Sequence, residues 1–121
     1  MASIRYFVND VNESVAFYTE RFGFELNQQF GPAMAILKQG DLTLWLAGPQ
    51  ASAARPMPDG RKPEPGGWNR FVLPVEDLAS LVKSLRRQGV SFRNEIVKSP
   101  GGQQILCEDP SGNVIELFQA T

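Results

Sequence analysis

Histidine is missing altogether from this chain of 121 residues. Its absence removes histidine-based nucleophilic triads, imidazole general bases and two-histidine metal sites before any pattern is read. Cysteine is almost missing as well: Cys107 stands alone, so no intramolecular disulfide can form, as expected of a reducing compartment. With no imidazole to activate it, Cys107 reads as a small strand residue rather than a nucleophile. No block of five or six like charges occurs, and 12 basic against 13 acidic side chains leave a formal charge of -1. A nucleic-acid partner is therefore not expected, since phosphate binding needs a basic surface. No apolar run approaches the length of a membrane span, and MASIRYFVNDV lacks the charged start and long apolar core of a signal peptide. The expectation is a cytoplasmic protein with no membrane partner.

What remains is the mixture of one compact domain, 42% apolar and 21% charged, long enough to bury a core. SIRYFVND alternates and is rich in β-formers, a strand ending near Asp10. In DVNESVAFYTERFGF, residues Val11, Val15, Tyr18 and Phe22 recur at helical spacing; Asp10 or Ser14 can cap the start and Gly23 the end. FELNQQF, AMAILKQG and DLTLWLAG follow as strands between glycine-containing turns. Residues 48–66 carry five prolines and few large apolar side chains, which reads as a linker, with 51–65 as its centre. Its course fits either a lid over a cavity or a disordered bridge.

The pattern then returns. WNRFVLPVED predicts a strand, DLASLVKSLRRQGV a helix ended by Gly89, and SFRNEIVK, GQQILCED and NVIELFQ three more strands. Val8-Asn9-Asp10-Val11 corresponds to Val75-Glu76-Asp77-Leu78, each closing a strand and opening a helix, as Phe22-Gly23-Phe24 does to Gln88-Gly89-Val90. Residues 1–50 and 66–121 are thus two copies of one supersecondary unit.

With VNDVNESVAFYTERFGFEL in the first copy, VEDLASLVKSLRRQGVSF in the second and the terminal DPSGNVIELF, the chain resembles the vicinal oxygen chelate superfamily. That superfamily includes glyoxalases, extradiol dioxygenases and bleomycin-resistance proteins. The resemblance implies an α+β fold of two βαβββ modules, a curled mixed sheet around a ligand cleft, commonly in homodimers. The modules can pair within one chain or by exchange between two chains, since both arrangements bury the same faces.

The resemblance also implies where a metal would sit. Its metal-dependent members use the final-strand glutamate, here Glu116, and histidines seven residues before each helix-opening aspartate. Counting back from Asp10 and Asp77 reaches Ser3 and Arg70. A guanidinium has no lone pair to offer and a lone serine is a weak ligand. The remaining position falls near Trp45, which does not bind metal. No metal and no other cofactor is therefore expected.

An ionised carboxylate among Val114, Ile115, Leu117 and Phe118 is expensive to bury without a partner. Arg70 is the expected partner, an ion pair where a cation would otherwise bridge; the alternative is that either side chain reaches solvent at the cleft mouth. Strand alternation places Ser3, Arg5 and Phe7 on one face, with Trp45, Arg70, Glu116 and Phe118 on matching faces of their own strands. These seven are the candidate ligand-binding residues, and Trp68 beside the linker adds a further stacking surface. Apolar walls with a few polar groups suit an aromatic or semi-polar organic molecule. Two functions compete. One is non-catalytic binding, such as the antibiotic sequestration of the resistance proteins. The other is a glyoxalase- or dioxygenase-like enzyme acting on a small carbonyl or catechol-type substrate, with Glu116 as metal ligand or base.

Overall fold

A computed structural model describes residues 2–121 of the chain. Contacts divide them into two compact units, one running to Gly66 and including Pro110–Asn113, the other Gly67–Asp109 with Val114–Thr121. Each carries one copy of the β-α-β-β-β order predicted from sequence.

In the first unit, β1 (Ala2–Phe7), α1 (Val11–Phe22), β2 (Glu25–Phe30), β3 (Met34–Gln39) and β4 (Leu42–Ala47) build a mixed sheet of order β1-β4-β3-β2. The first and last strands are parallel neighbours, with Arg5 opposite Trp45, while β3 runs antiparallel to both β2 and β4. Of the two candidate caps of α1, Asp10 serves: its side chain accepts from Glu13 N–H, and Gly23 closes the helix at φ 72°. Ser14 instead is wholly buried and donates its hydroxyl to the Asp10 carbonyl. Tyr6, Val8, Ala35, Leu37, Leu44 and Leu46 form the core face, covered by Val11 and Tyr18 of α1. Fully burying each such leucine stabilises the fold by on the order of 2 kcal/mol.

The second unit repeats the plan with β5 (Arg70–Pro74), α2 (Leu78–Arg87), β6 (Val97–Ser99), β7 (Gly102–Glu108) and β8 (Val114–Ala120), in sheet order β5-β8-β7-β6. Leu78, Val82 and Leu85 of α2 are buried, as are Phe71, Leu73, Ile105, Cys107, Ile115 and Leu117 of the sheet. Asp77 caps α2 by accepting from the Ser80 N–H, and that bond holds its carboxyl below the usual value.

One strand is shorter than predicted. SFRNEIVK was expected to be extended throughout, yet only Val97–Ser99 joins the ladder. Upstream, Asn94 puts its side-chain Oδ1 where a strand would put a carbonyl and accepts the Leu106 N–H at 2.9 Å. The Arg93 N–H donates to the Leu106 carbonyl and Phe92 makes an isolated bridge with Cys107. A side-chain amide competing with the backbone ended the ladder there.

The proline-rich segment follows a hydrogen-bonded path. Ala51 N–H donates to Gly48, Ala54 N–H to Ala51, and a tight loop closes from Met57 N–H to the Arg61 carbonyl at 2.7 Å. A short 3-10 turn spans Ser52–Ala54, and Ala51 is buried. The Asp-Pro-Ser-Gly-Asn turn anchors the far end: Asn113 accepts from Gly66 N–H and donates to the Phe7 carbonyl, both at 2.8 Å. Ser111 Oγ accepts from the Asn9 N–H at 2.8 Å.

Candidate functional site

The parallel pairing of β5 with β8 sets Val72 opposite Glu116 and Arg70 opposite Val114. Arg70 is thus a diagonal neighbour of Glu116 on the same face, a separation that a long side chain can span. Its Nε and Nη2 donate at 3.1 and 3.0 Å, both to Oε1 of Glu116. Nη1 donates to the Trp68 carbonyl at 3.4 Å. The Glu116 side chain is 12% exposed and that of Arg70 31%. The carboxylate thus has its cation, and the two residues expected to pair do so. Glu116 Oε2 takes no hydrogen bond from the described residues.

Phe118 lies two residues further along β8 on the same face and is half-buried. Trp68 is one of the most open large side chains, 66% exposed. It is held as a platform: the Arg93 guanidinium lies 4.5 Å from its ring centre. Arg93 is itself fixed by Glu108 Oε2 at 2.6 Å and the Gly67 carbonyl at 2.7 Å. Arg93 carries no mark in the sequence, because Glu108, Gly67 and Trp68 are brought to it only by the fold.

The remaining predicted residues sit on the first sheet. Ser3 is exposed opposite Thr43, and Phe7 is half-buried opposite Ala47. Between them along β1, Arg5 stacks its guanidinium 4.8 Å from the Trp45 ring centre. A cation over an indole face is attracted by the ring quadrupole. The position that holds a carboxylate in β8 therefore holds an aromatic ring in β4, and a guanidinium attends each.

Among the cavities of the first unit, two bear on these residues. One of about 560 Å³ is bounded by Phe7, Ala47 and Gly48 on the sheet side and by Ala54, Pro56 and the Lys62-Pro63-Glu64-Pro65 stretch of the loop. The other, about 270 Å³, lies among Arg5, Phe30, Met34, Ala47 and residues 50–53. The proline-rich loop walls both. Phe30 and Met34 were not identified from sequence, because β2 and β3 show no contrast that marks a cavity wall.

The metal-binding chemistry of the related proteins can be tested on this donor set. Glu116 Oε1 already accepts two N–H groups of a permanent cation, and neither the Trp45 ring nor a lone Ser3 hydroxyl is an adequate ligand. No group of three or more His, Cys, Asp or Glu side chains placed to hold an ion exists among the described residues. One carboxylate under a guanidinium does not fit a transition metal. Cys107 offers no substitute: it is wholly buried, and desolvation, with Asp109 nearby, pushes its thiol up to about 12.

Residues 1–117 match the family described as the Glyoxalase/Bleomycin resistance protein/Dioxygenase superfamily. No curated protein matches the chain in sequence. Among solved structures, TnmS3, an antibiotic binding protein from Streptomyces sp. CB03234, is similar at 27% identity and TM-score 0.73, over 98% of this chain and 93% of that one. Lactoylglutathione lyase from Agrobacterium tumefaciens matches at 21% identity and TM-score 0.75, covering 98% and 92%. The fosfomycin resistance protein FosX from Listeria monocytogenes matches at 18% and 0.76, covering 100% and 90%. The last two likenesses are of fold alone.

Proposed function

Because the chain belongs to the glyoxalase/bleomycin resistance protein/dioxygenase superfamily, we propose that it is a metal-independent binder of a small aromatic or semi-polar organic molecule. Sequestration, of an antibiotic for example, is its task rather than turnover. The observation that carries this reading is the Arg70 guanidinium 3.0 Å from Glu116, on the one carboxylate at a position where relatives ligate metal. A fixed cation offers charge and hydrogen bonds but cannot accept a vicinal pair of oxygens as ligands. The half-buried indole of Trp45 under Arg5, half-buried Phe7 and exposed Ser3 supply, on the first sheet, apolar walls and directional polar groups of the kind small-molecule sites use, and Phe118 lies half-buried on the Glu116 face of β8 in the second. The likeness to TnmS3 supports binding of an organic guest. The working unit in this reading is a cytoplasmic homodimer.

Native mass spectrometry in the presence of zinc, nickel, manganese or iron tests the metal half. The expected spectrum shows a dimer with no retained ion, and a single tightly held equivalent removed by Glu116→Gln would instead favour an enzyme of glyoxalase or dioxygenase type. A thermal-shift panel of aromatic antibiotics tests the other half. Stabilisation without added metal is expected; stabilisation that requires metal would sink the proposal.

A further inference from the structure

We infer that the guest of the first sheet is an organic anion, a flat carboxylate whose charge meets Arg5 and whose ring enters the cavity beside it; this deepens the small-molecule reading and rests on it. Three observations converge. Arg5 is an exposed guanidinium that forms no ion pair with any described residue, in contrast to Arg61, Arg70, Arg86 and Arg93, each paired with a carboxylate. It is nevertheless not a free-swinging surface cation, because the Trp45 ring holds its planar group at 4.8 Å. Less orientational freedom is then lost when an anion docks. Last, Arg5 lies at the edge of the cavity of about 270 Å³, whose other walls include Phe30, Met34 and Ala51 and no acidic side chain.

The physical consequence is selection by charge. An organic cation placed there would face Arg5 with nothing to offset the repulsion, whereas a carboxylate can accept two parallel N–H bonds from the guanidinium fork. The ring of such a ligand gains the apolar contact of Phe30 and Met34, and Gln50 at the rim offers an amide to a second polar substituent. The size limits the guest as well. Small-molecule sites run from roughly 300 to 1,000 Å³, so a cavity of about 270 Å³ takes one or two fused rings rather than a large macrocycle.

The test uses Trp45 itself as reporter. The chain has two tryptophans, so Trp68→Phe leaves one indole, next to Arg5. Three probes of equal shape are titrated by fluorescence into the intact protein: naphthoate, neutral naphthamide and cationic naphthylmethylammonium. Naphthoate is expected to bind roughly tenfold or more tightly than the amide, the worth of a charge-assisted hydrogen bond, and the cation more weakly still. Arg5→Gln should abolish most of the advantage of the acid over the amide, while Arg5→Lys keeps part of it. If amide and acid bind alike, or Arg5→Gln leaves the acid's affinity intact, charge selection is overturned while the small-molecule reading stands. If no probe of any charge binds, but a neutral or cationic guest stabilises the protein in the thermal-shift panel, this cavity is not the site. Failure of every probe and every panel member removes both readings together.

Discussion

Arg70 reaches Glu116 from a register position two residues back along a parallel strand and places Nε and Nη2 on the same carboxylate oxygen, at 3.1 and 3.0 Å. The contact is therefore convergent on Oε1 rather than a fork gripping both oxygens. That leaves Oε2 as the acceptor a ligand donor can use. It also makes the pair a single unit in stability.

Arg70→Leu strands a carboxylate that is 12% exposed, and should cost on the order of 1–3 kcal/mol in denaturant unfolding. Glu116→Leu should cost a similar amount. The double substitution is expected to recover most of either loss, because replacing both charges by apolar groups avoids the unpaired ion. Strict additivity in that cycle would show the two side chains do not depend on each other.

Asn113 is buried and spends both ends of its amide on backbone groups, Gly66 N–H and the Phe7 carbonyl. Asn113→Ala orphans both, for an expected loss of about 2 kcal/mol. Asn113→Asp is the sharper probe, since a carboxylate can still accept from Gly66 but cannot donate to Phe7. An Asp variant as stable as the parent would mean that the donated bond is unimportant.

Gly48 marks where the proline-rich loop leaves β4. A methyl group there would lie 2.8 Å from Val11 Cγ2 and 3.1 and 3.3 Å from the carbonyl oxygens of Pro32 and Ala33. Gly48→Ala is expected to destabilise by about 1–3 kcal/mol through overpacking. It should also shift the loop that walls both cavities, which a reduced affinity for any first-unit ligand would report. Unchanged melting and binding would refute the close approach.

Cys107 should be silent to thiol reagents in the native protein at mildly alkaline pH and react at once in denaturant. Its thiol is held at about 12 against an ordinary 9.0, chiefly by burial. The sign follows: the folded state favours the neutral thiol, so this contribution to stability is full below the ordinary value. It declines as pH rises from there through about 12. A Cys107→Ala variant should lack this alkaline component, seen as a shallower fall of melting temperature with pH.

Much of this was legible because local rules and the global fold agree. Asp10 and Asp77 open helices by the same bond to the third residue on, and Gly23 ends α1 in the left-handed region, so repeat boundaries could be read from caps. Residue alternation separated Ile4, Tyr6 and Val8 from Ser3, Arg5 and Phe7, and burial follows that division, with Tyr6 and Val8 inside and Ser3 and Arg5 outside. The failure at residues 91–96 has one cause. Ser-Phe-Arg-Asn-Glu-Ile alternates like a strand, but nothing local reveals that the Asn94 side chain will satisfy Leu106 in place of the backbone.

The chain by itself determined what chemistry was absent and what had to be compensated: no imidazole, one buried thiol, and a glutamate among apolar neighbours that required a cation. Those are properties of composition and period, which a sequence carries in full. Which arginine meets which group was decided in three dimensions. Arg70 and Glu116 are 46 positions apart and Arg5 and Trp45 are 40, distances that only the parallel registers of β5 with β8 and β1 with β4 close. Likewise the loop's prolines announce stiffness, but whether a stiff loop walls a cavity depends on where its hydrogen bonds find carbonyls. Contacts between residues far apart in sequence are set by packing and register, and the energies that choose them belong to no single stretch of chain.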